Sequence, residues 1–339
     1  MVKVLLTGGS GFIAAHVLDI LIEKGYEVVT TVRSQQKGQK ILDAHPKVSK
    51  DKLSYVIVED IAQPGAFDEA VKSEPGFDAV IHTASPFHFN VVDPVKDLLD
   101  PAVNGTVGIL KAIKAHAPTV KRVAITSSFA SIINASQHPE TYSEKDWNPV
   151  TWEQATDPKD PATTYRGSKT FAEKAAWDFV EKEKPNFTIT TLCPPLVLGP
   201  IVHYLNSLDA INTSNARVRD FIQGKYKGQS ELPPTGTFIW VDVRDLALSH
   251  VLAIEKSEAE NQRFFITAGY FSNKKIVEAI RKSHPELSDK LPLSSAKDDT
   301  PEGVYGYDNS KSIKLLGLKY SPFDAAIKDT VDSLLEVGA

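Results

Sequence analysis

A glycine-rich run between a strand-like and a helix-like segment constrains this chain more than any other feature. Residues 2–7, Val2-Lys3-Val4-Leu5-Leu6-Thr7, read as a short buried strand. Gly8-Gly9-Ser10-Gly11-Phe12-Ile13-Ala14 follows at once, and residues 14–24 carry Val17, Leu18, Leu21 and Ile22 on one helical face. A strand that turns through glycine into a helix presents backbone N–H groups and the positive end of a helix dipole to the turn. Glycine also lets the backbone approach a pyrophosphate closely, so the run predicts a dinucleotide phosphate site at Gly8, Gly11, Phe12 and Ile13. It fits G-x-G-x-x-A from Gly9 and G-x-x-G-x-x-A from Gly8, so spacing alone leaves the subfamily open. A tight turn without a ligand is the plainer reading; the strand before and the helix after favour binding.

The alternation continues. Apolar runs at 27–32, 53–58, 79–84, 122–126 and 187–192 are separated by helical patterns, notably at 105–116 and 165–183. Short strands alternating with helices predict an α/β, Rossmann-type, doubly wound parallel sheet covered on both faces. Such sheets bind ligands at the carboxyl ends of their strands. After Pro200 the pattern changes: residues 201–236 are polar, without a long periodic run. A strand is expected at 238–243, a helix at 244–255, a strand at 263–267 and helices at 273–284, 310–316 and 324–337. The expected division is a dinucleotide-binding domain from 1–200 and 237–267, a smaller discontinuous α/β substrate domain from 201–236 and 268–320, and a C-terminal helix over 321–339.

Composition narrows the function. The 339 residues hold 38 basic and 43 acidic side chains, a net charge of -5, which argues against a partner with a phosphate backbone. One cysteine excludes an internal disulfide and a zinc site of several thiolates, and the nine histidines show no ligand spacing, so no metal is expected. No apolar stretch approaches the roughly 18 residues of a membrane span, and no targeting signal is visible. The expected location is cytoplasmic.

The end of the second strand points to the cofactor. NAD binders place Asp or Glu there for the ribose 2′-OH. Here the residues are Thr30-Thr31-Val32-Arg33-Ser34-Gln35-Gln36-Lys37, with no carboxylate. A guanidinium and an ammonium, Arg33 and Lys37, suit a 2′-phosphate, so NADPH/NADP+ is expected.

Y-x-x-x-K occurs at Tyr165–Lys169, Tyr270–Lys274 and Tyr307–Lys311, so the motif alone has little specificity. The first lies in a helical run, where i,i+4 spacing puts both side chains on one face. It also follows a strand ending in Thr126-Ser127-Ser128-Phe129, with hydroxyls at a carboxyl end. An ammonium near a phenol favours the phenolate and lowers its pKa, so the Tyr can exchange a proton with an alkoxide. A serine hydroxyl can bond the same oxygen. The other two pairs fall in loop-rich sequence, where local packing is the better reading.

In sum of its motifs the sequence resembles the extended short-chain dehydrogenase/reductases, and among them the fungal NADPH-dependent aldehyde/ketone (methylglyoxal) reductases and plant dihydroflavonol reductases. The matching residues are the turn at 7–14, Arg33, Asp60-Ile61, His82-Thr83-Ala84-Ser85-Pro86, Asn104, Thr126-Ser127-Ser128, Tyr165–Lys169, the stretch 194–200 and Val241-Asp242-Val243-Arg244-Asp245. The resemblance implies Tyr165 as proton donor, Lys169 on the nicotinamide ribose and Ser128 on the substrate oxygen, with Ser127 as the lesser candidate. It implies that Asp60 and Ile61 flank the adenine, that Thr83, Ala84 and Ser85 line the cofactor, and that Pro194 and Val197 present backbone to the carboxamide. Asn104 would support a water relay or cap a helix. It further implies a small carbonyl substrate and a monomer or homodimer.

Phe87, Phe129 and Tyr204 are the candidates for the substrate wall, while Trp240 reads as core. The reading favoured is a reductase taking aldehydes, ketones or α-dicarbonyls to alcohols. Dihydroflavonol- or hydroxysteroid-type dehydrogenase, nucleotide-sugar epimerase or dehydratase, and non-catalytic NADP sensor are the alternatives. Cys193, beside Pro194, carries a further expectation: a small buried residue, or a thiol whose modification blocks the cofactor.

Overall fold

The computed structural model describes residues 2–85, 91–202, 205, 208 and 211–339. Strands β1 (Lys3–Thr7), β2 (Glu27–Val32) and β3 (Leu53–Ile57) alternate with helices α1 (Phe12–Glu23) and α2 (Gln35–Ala44). Next come β4 (Ala79–His82), α3 (Asp100–His116), β5 (Arg122–Thr126), β6 (Thr141–Tyr142), α4 (Trp152–Ala155), α5 (Pro161–Glu183) and β7 (Thr188–Cys193). The rest holds β8 (Leu196–Leu198), α6 (Thr213–Ile222), β9 (Ile239–Asp242), α7 (Val243–Glu255) and β10 (Gln262–Phe265). It ends with β11 (Gly269–Tyr270), α8 (Asn273–Ser283), β12 (Gly306–Tyr307) and α9 (Phe323–Glu336).

Seven strands form one parallel sheet in the order β10-β7-β5-β4-β1-β2-β3. From β1 the chain winds outward to β3, then returns to β4 on the other side of β1. The reversal makes the β1/β4 boundary the switch point at which a ligand crevice opens. This is the doubly wound, Rossmann-type sheet expected. Alternate residues feed opposite faces. Val4 and Leu6 pack with Val17 and Leu18 of α1 and Leu246 of α7, while Leu5 packs with Ile109 and Ile113 of α3 and Phe179 of α5.

The expected segments survive with shifted ends. The helix expected from 105 begins at Asp100, which puts Asn104 inside α3, on its exposed side, and removes its reading as a cap. The helix expected from 165 begins at Pro161, where Asp160 accepts from the Thr163 N–H at 3.0 Å. Over 201–236 the sequence shows no long periodic run, yet α6 forms there. Its composition is polar because it buries only Asn215, Val218, Phe221 and Ile222.

β9 does not join the seven-stranded sheet. It lies between β8 and β11 in a separate three-stranded sheet. Val197 and Val241 face the main core, whereas Leu198 and Trp240 face a second core made by α6, α8 and α9. α9 therefore packs into that core, through Ile327 and Val331, rather than standing apart. Trp240 is 2% exposed, as its reading as core requires.

The glycine turn is fixed by sterics. Gly8 has φ +75°, and a Cβ there would lie 3.1 Å from Ala84 Cα. A Cβ on Gly9 would overlap Thr30 Oγ1. Gly9→Val should therefore destabilise the fold by about 1–3 kcal/mol, as overpacking of a tight site does. Thr30→Ala in the same chain should recover part of the loss, read as the shift in the midpoint of thermal unfolding.

Candidate active site

Parallel pairing brings the ends of β1, β4, β5 and β7 to one edge, and the chemistry collects there. The Thr7 hydroxyl oxygen accepts from the N–H groups of Thr83 and Ala84, each at 3.1 Å, and its carbonyl accepts from Thr83 Oγ1 at 2.6 Å. The Gly8 N–H donates to Thr31 Oγ1 at 3.1 Å, and the Gly9 N–H to the Thr31 carbonyl at 3.0 Å. α1 opens at Gly11 with no side-chain cap and no acidic residue in its first turn, so no carboxylate of that turn competes for its positive end.

Arg33 and Lys37 are exposed at the end of β2 and the start of α2. Ser34 between them caps α2, its hydroxyl facing the Lys37 N–H at 3.4 Å. Asp60 lies close enough to feel Arg33. Hydrogen bonds from the Gln63 amide and the Ala62 N–H hold its carboxyl below the usual range, with a smaller pull from Arg33. Ile61 packs against Gly105 of α3, where a Cβ would come within 3.1 Å of its Cδ1.

Tyr165 and Lys169 sit on α5, one turn apart. The Tyr165 hydroxyl donates to Ser128 Oγ at 3.5 Å, and Ser128 Oγ also accepts from the Ala130 N–H at 3.1 Å. Lys169 Nζ donates to Ser85 Oγ at 2.7 Å, tying α5 to the segment after β4. Burial pushes the Lys169 ammonium down to about 8. Burial pushes the Tyr165 phenol upward, and the bond to Ser128 opposes this. Desolvation of the phenolate thus outweighs the bond to Ser128. The other pairs lie elsewhere. Tyr270 packs on Tyr307 and donates to the Tyr305 carbonyl, while Lys311 donates to the Arg263 carbonyl.

Pro194 accepts from the Phe129 N–H at 2.7 Å, and Val197 lies opposite Val241 in β8. The Phe129 ring, 3% exposed, is stacked on Phe265 at 5.2 Å and meets Tyr142 edge-on. Phe87 and Tyr204 lie outside the described residues. A cavity of about 500 Å³ adjoins the glycine turn, lined by Gly9, Ser10, Gly11 and Phe12, by Lys37 and Lys40, and by Val202 and Leu205. It reaches the Lys37 end of the turn and not Tyr165.

These features fit a phosphorylated dinucleotide. The turn has little room for a Cβ at Gly8 and none at Gly9, the α1 terminus lacks an acidic residue, two cations close the β2 end and a buried ammonium lies between strand ends. Among the described residues no group of three His, Cys, Asp or Glu side chains is arranged to hold a metal, and no helix is long and apolar enough to cross a membrane.

The NAD dependent epimerase/dehydratase family model matches residues 4–267. The chain belongs to this family. Several relatives and solved structures similar to it are reductases. The ketoreductase azaE of Aspergillus niger is 53% identical over 334 residues, with 98% of each chain covered. The NADPH-dependent methylglyoxal reductase GRE2 of Saccharomyces cerevisiae is 35% identical, again with 98% of each covered. The crystal structure of Gre2 from Candida albicans in complex with NADPH matches with a TM-score of 0.92 and 37% identity, over 100% of both chains.

The motif reading missed Glu173 and Arg263. Glu173, two turns beyond Tyr165 on α5, is 2% exposed and bonded to Arg263 Nε at 2.8 Å. Burial opposes its charge, yet Arg263 and the Ser127 and Ser131 hydroxyls hold the carboxyl below its usual range. An acid at i,i+4,i+8 from Tyr165 and Lys169 was the available signal. Cys193 lies against this carboxylate with no exposed surface, and burial pushes its thiol up to about 12. Its burial bears out the reading of Cys193 as a small buried residue, and a protonated thiol out of contact with solvent does not favour the reading as a modifiable group beside the cofactor. Iodoacetamide at pH 8 should leave Cys193 unlabelled in the native chain, with or without cofactor, and label it after denaturation, read by intact mass.

Proposed function

We propose that this chain is an NADPH-dependent carbonyl reductase, converting aldehydes, ketones or α-dicarbonyls to alcohols. The observation that carries this reading is the convergence of the Ser128 hydroxyl, the Tyr165 phenol and the Lys169 ammonium at the strand ends that hold the glycine turn. The ketoreductase and methylglyoxal reductase names of its relatives support it. Gly8, Gly11, Phe12 and Ile13 would receive the pyrophosphate, Arg33 and Lys37 the 2′-phosphate, and Asp60 and Ile61 the adenine side. Thr83, Ala84 and Ser85 would line the path between, with Pro194 and Val197 at the carboxamide. Residues 201–236 and 268–320 would close over the substrate end, and Phe129 would back that wall from behind.

Bound NADPH supplies the hydride that reduces the carbonyl carbon. Everything else falls to the chain's own groups. Ser128 donates a hydrogen bond to the carbonyl oxygen and polarises it. Tyr165 holds a proton firmly, since burial disfavours the phenolate, and releases it to the oxygen as negative charge develops there. Lys169 stands one turn away, within reach of Ser85, and would bond the nicotinamide ribose and steady the charge on Tyr165. A sugar-nucleotide epimerase shares the fold, but no contact among the described residues favours it.

Tyr165→Phe should lower kcat for NADPH oxidation with a small α-dicarbonyl by about 10²-fold or more, the usual scale of one general acid. Its cofactor Kd, read by fluorescence titration, should stay within about fivefold, since a hydroxyl bond contributes about 1 kcal/mol. A second outcome concerns pH. Lys169 is cationic below about 8 and neutral above. If the ammonium bonds the ribose, NADPH affinity is full below pH 8 and falls as pH rises past it, with proton uptake on binding. Calorimetry in buffers of differing ionisation enthalpy reads that uptake, and Lys169→Met should remove it.

A further inference from the structure

Glu173 is a buried charged group for which the reaction above has no use. It shares a face of α5 with Tyr165 and Lys169, at i,i+4,i+8. Its Oε2 accepts from the Ser127 and Ser131 hydroxyls, both at 2.6 Å, and its Oε1 accepts from Thr191 Oγ1 at 2.7 Å. Arg263 grips it from β10. The same guanidinium donates to the carbonyls of Glu144, Asp146 and Ser131 and lies 3.7 Å over the Trp147 ring. One carboxylate thereby joins α5 to the end of β5, to β7 and to β10.

The connection to Ser128 is direct. The Ser131 hydroxyl has one proton and two acceptors, Glu173 Oε2 at 2.6 Å and the Ser128 carbonyl at 2.7 Å. Ser127, the residue before Ser128, bonds the same Oε2. Ser128 is thus held on both sides in sequence by the helix that carries Tyr165. A buried ion pair contributes little net stability once desolvation is counted. What it supplies is direction, because each of its bonds has a required geometry.

We propose that the Glu173–Arg263 pair is a positioning device that sets Ser128 against Tyr165, so that both hydroxyls reach one carbonyl oxygen. This rests on the roles given above to Ser128 and Tyr165. Their contact is long, 3.5 Å, so a small drift of the β5 end relative to α5 would separate them. Displacement of about 1 Å in such a site costs about 10²-fold in rate.

The test uses full-length protein, NADPH and a small α-dicarbonyl, with kcat and each KM measured separately. Ser131→Ala removes the shared hydroxyl and leaves the ion pair, and Glu173→Gln removes the charge. Each should lower kcat about 10-fold or more with KM for NADPH changed less than about threefold, the pattern of an interaction that matters in the transition state. In a Ser128→Ala background the same substitutions should cost less than about twofold, because the group they position is gone and coupled residues are not additive. Equal losses in both backgrounds, or an unchanged kcat in Ser131→Ala, would overturn the proposal. Where Glu173→Gln does not fold, Ser131→Ala and Thr191→Val decide by the same comparison. If Ser128→Ala alone keeps full kcat, the role of Ser128 and the positioning proposal fall together. If Ser128→Ala loses activity while Ser131→Ala does not, only the positioning proposal falls.

Discussion

The site depends on the parallel register of four strands. Thr7 of β1 pairs beside His82 of β4, His82 beside Ile125 of β5, and Thr126 beside Leu192 of β7. All four strands therefore finish at one edge, and the loop leaving each strand meets the loops leaving its neighbours. The glycine turn, Thr83 to Ser85, Ser127 to Ser128 and Pro194 become neighbours by this pairing, though 186 positions separate Gly8 from Pro194. The Thr7 hydroxyl, which accepts from two N–H groups after β4, fastens the first two of these segments. Only an all-parallel arrangement with helices returning over both faces gives such an edge.

Against this edge α5 supplies titratable groups in an environment that disfavours charge. Tyr165 is pushed toward its neutral form and Lys169 down to about 8, while the buried His82 is pushed down to about 3 and His250 to about 4. His82 and His250 are thus neutral at physiological pH. The His82 Nδ1 faces the Thr7 hydroxyl at 2.9 Å, and the His250 Nε2 faces Thr126 Oγ1 at 2.6 Å. Both serve as neutral hydrogen-bonding groups at strand ends. In such surroundings a cationic or anionic ligand group is felt strongly, since little water screens it. Glu173 and Arg263 keep their charges by satisfying one another and their neighbours through many bonds.

Several misreadings of the sequence share one cause. Cys193 next to Pro194 carried two readings, a small buried residue and a modifiable thiol near the cofactor, and only the second came from proximity along the chain. Side chains alternate along a strand, so the thiol of the last β7 residue points to Glu173 and the interior. Phe129 follows Ser128, yet its ring turns away into Phe265 and Tyr142. Asn104 looked like the edge of a helix because the apolar pattern starts at 105, while α3 had already begun at Asp100. In each case the neighbour in sequence is not the neighbour in space.

The sequence by itself determined the parallel sheet, its glycine turn, the absence of a carboxylate after β2 and the order of motifs, since these depend on local periodicity and on backbone sterics. It also made Tyr165–Lys169 the candidate pair among three equal motifs, through the strand and hydroxyls before it. Tertiary structure alone decided the rest. The pairing of Glu173 with Arg263 spans 90 residues, β9 leaves the main sheet for β8 and β11, and the polar stretch 201–236 yields α6 only because α8 and α9 cover its few apolar residues. A short strand or a sparse helix face carries too little pattern to name its partner, and a buried charge is tolerable only once the fold has brought the opposite charge and the hydroxyls to it.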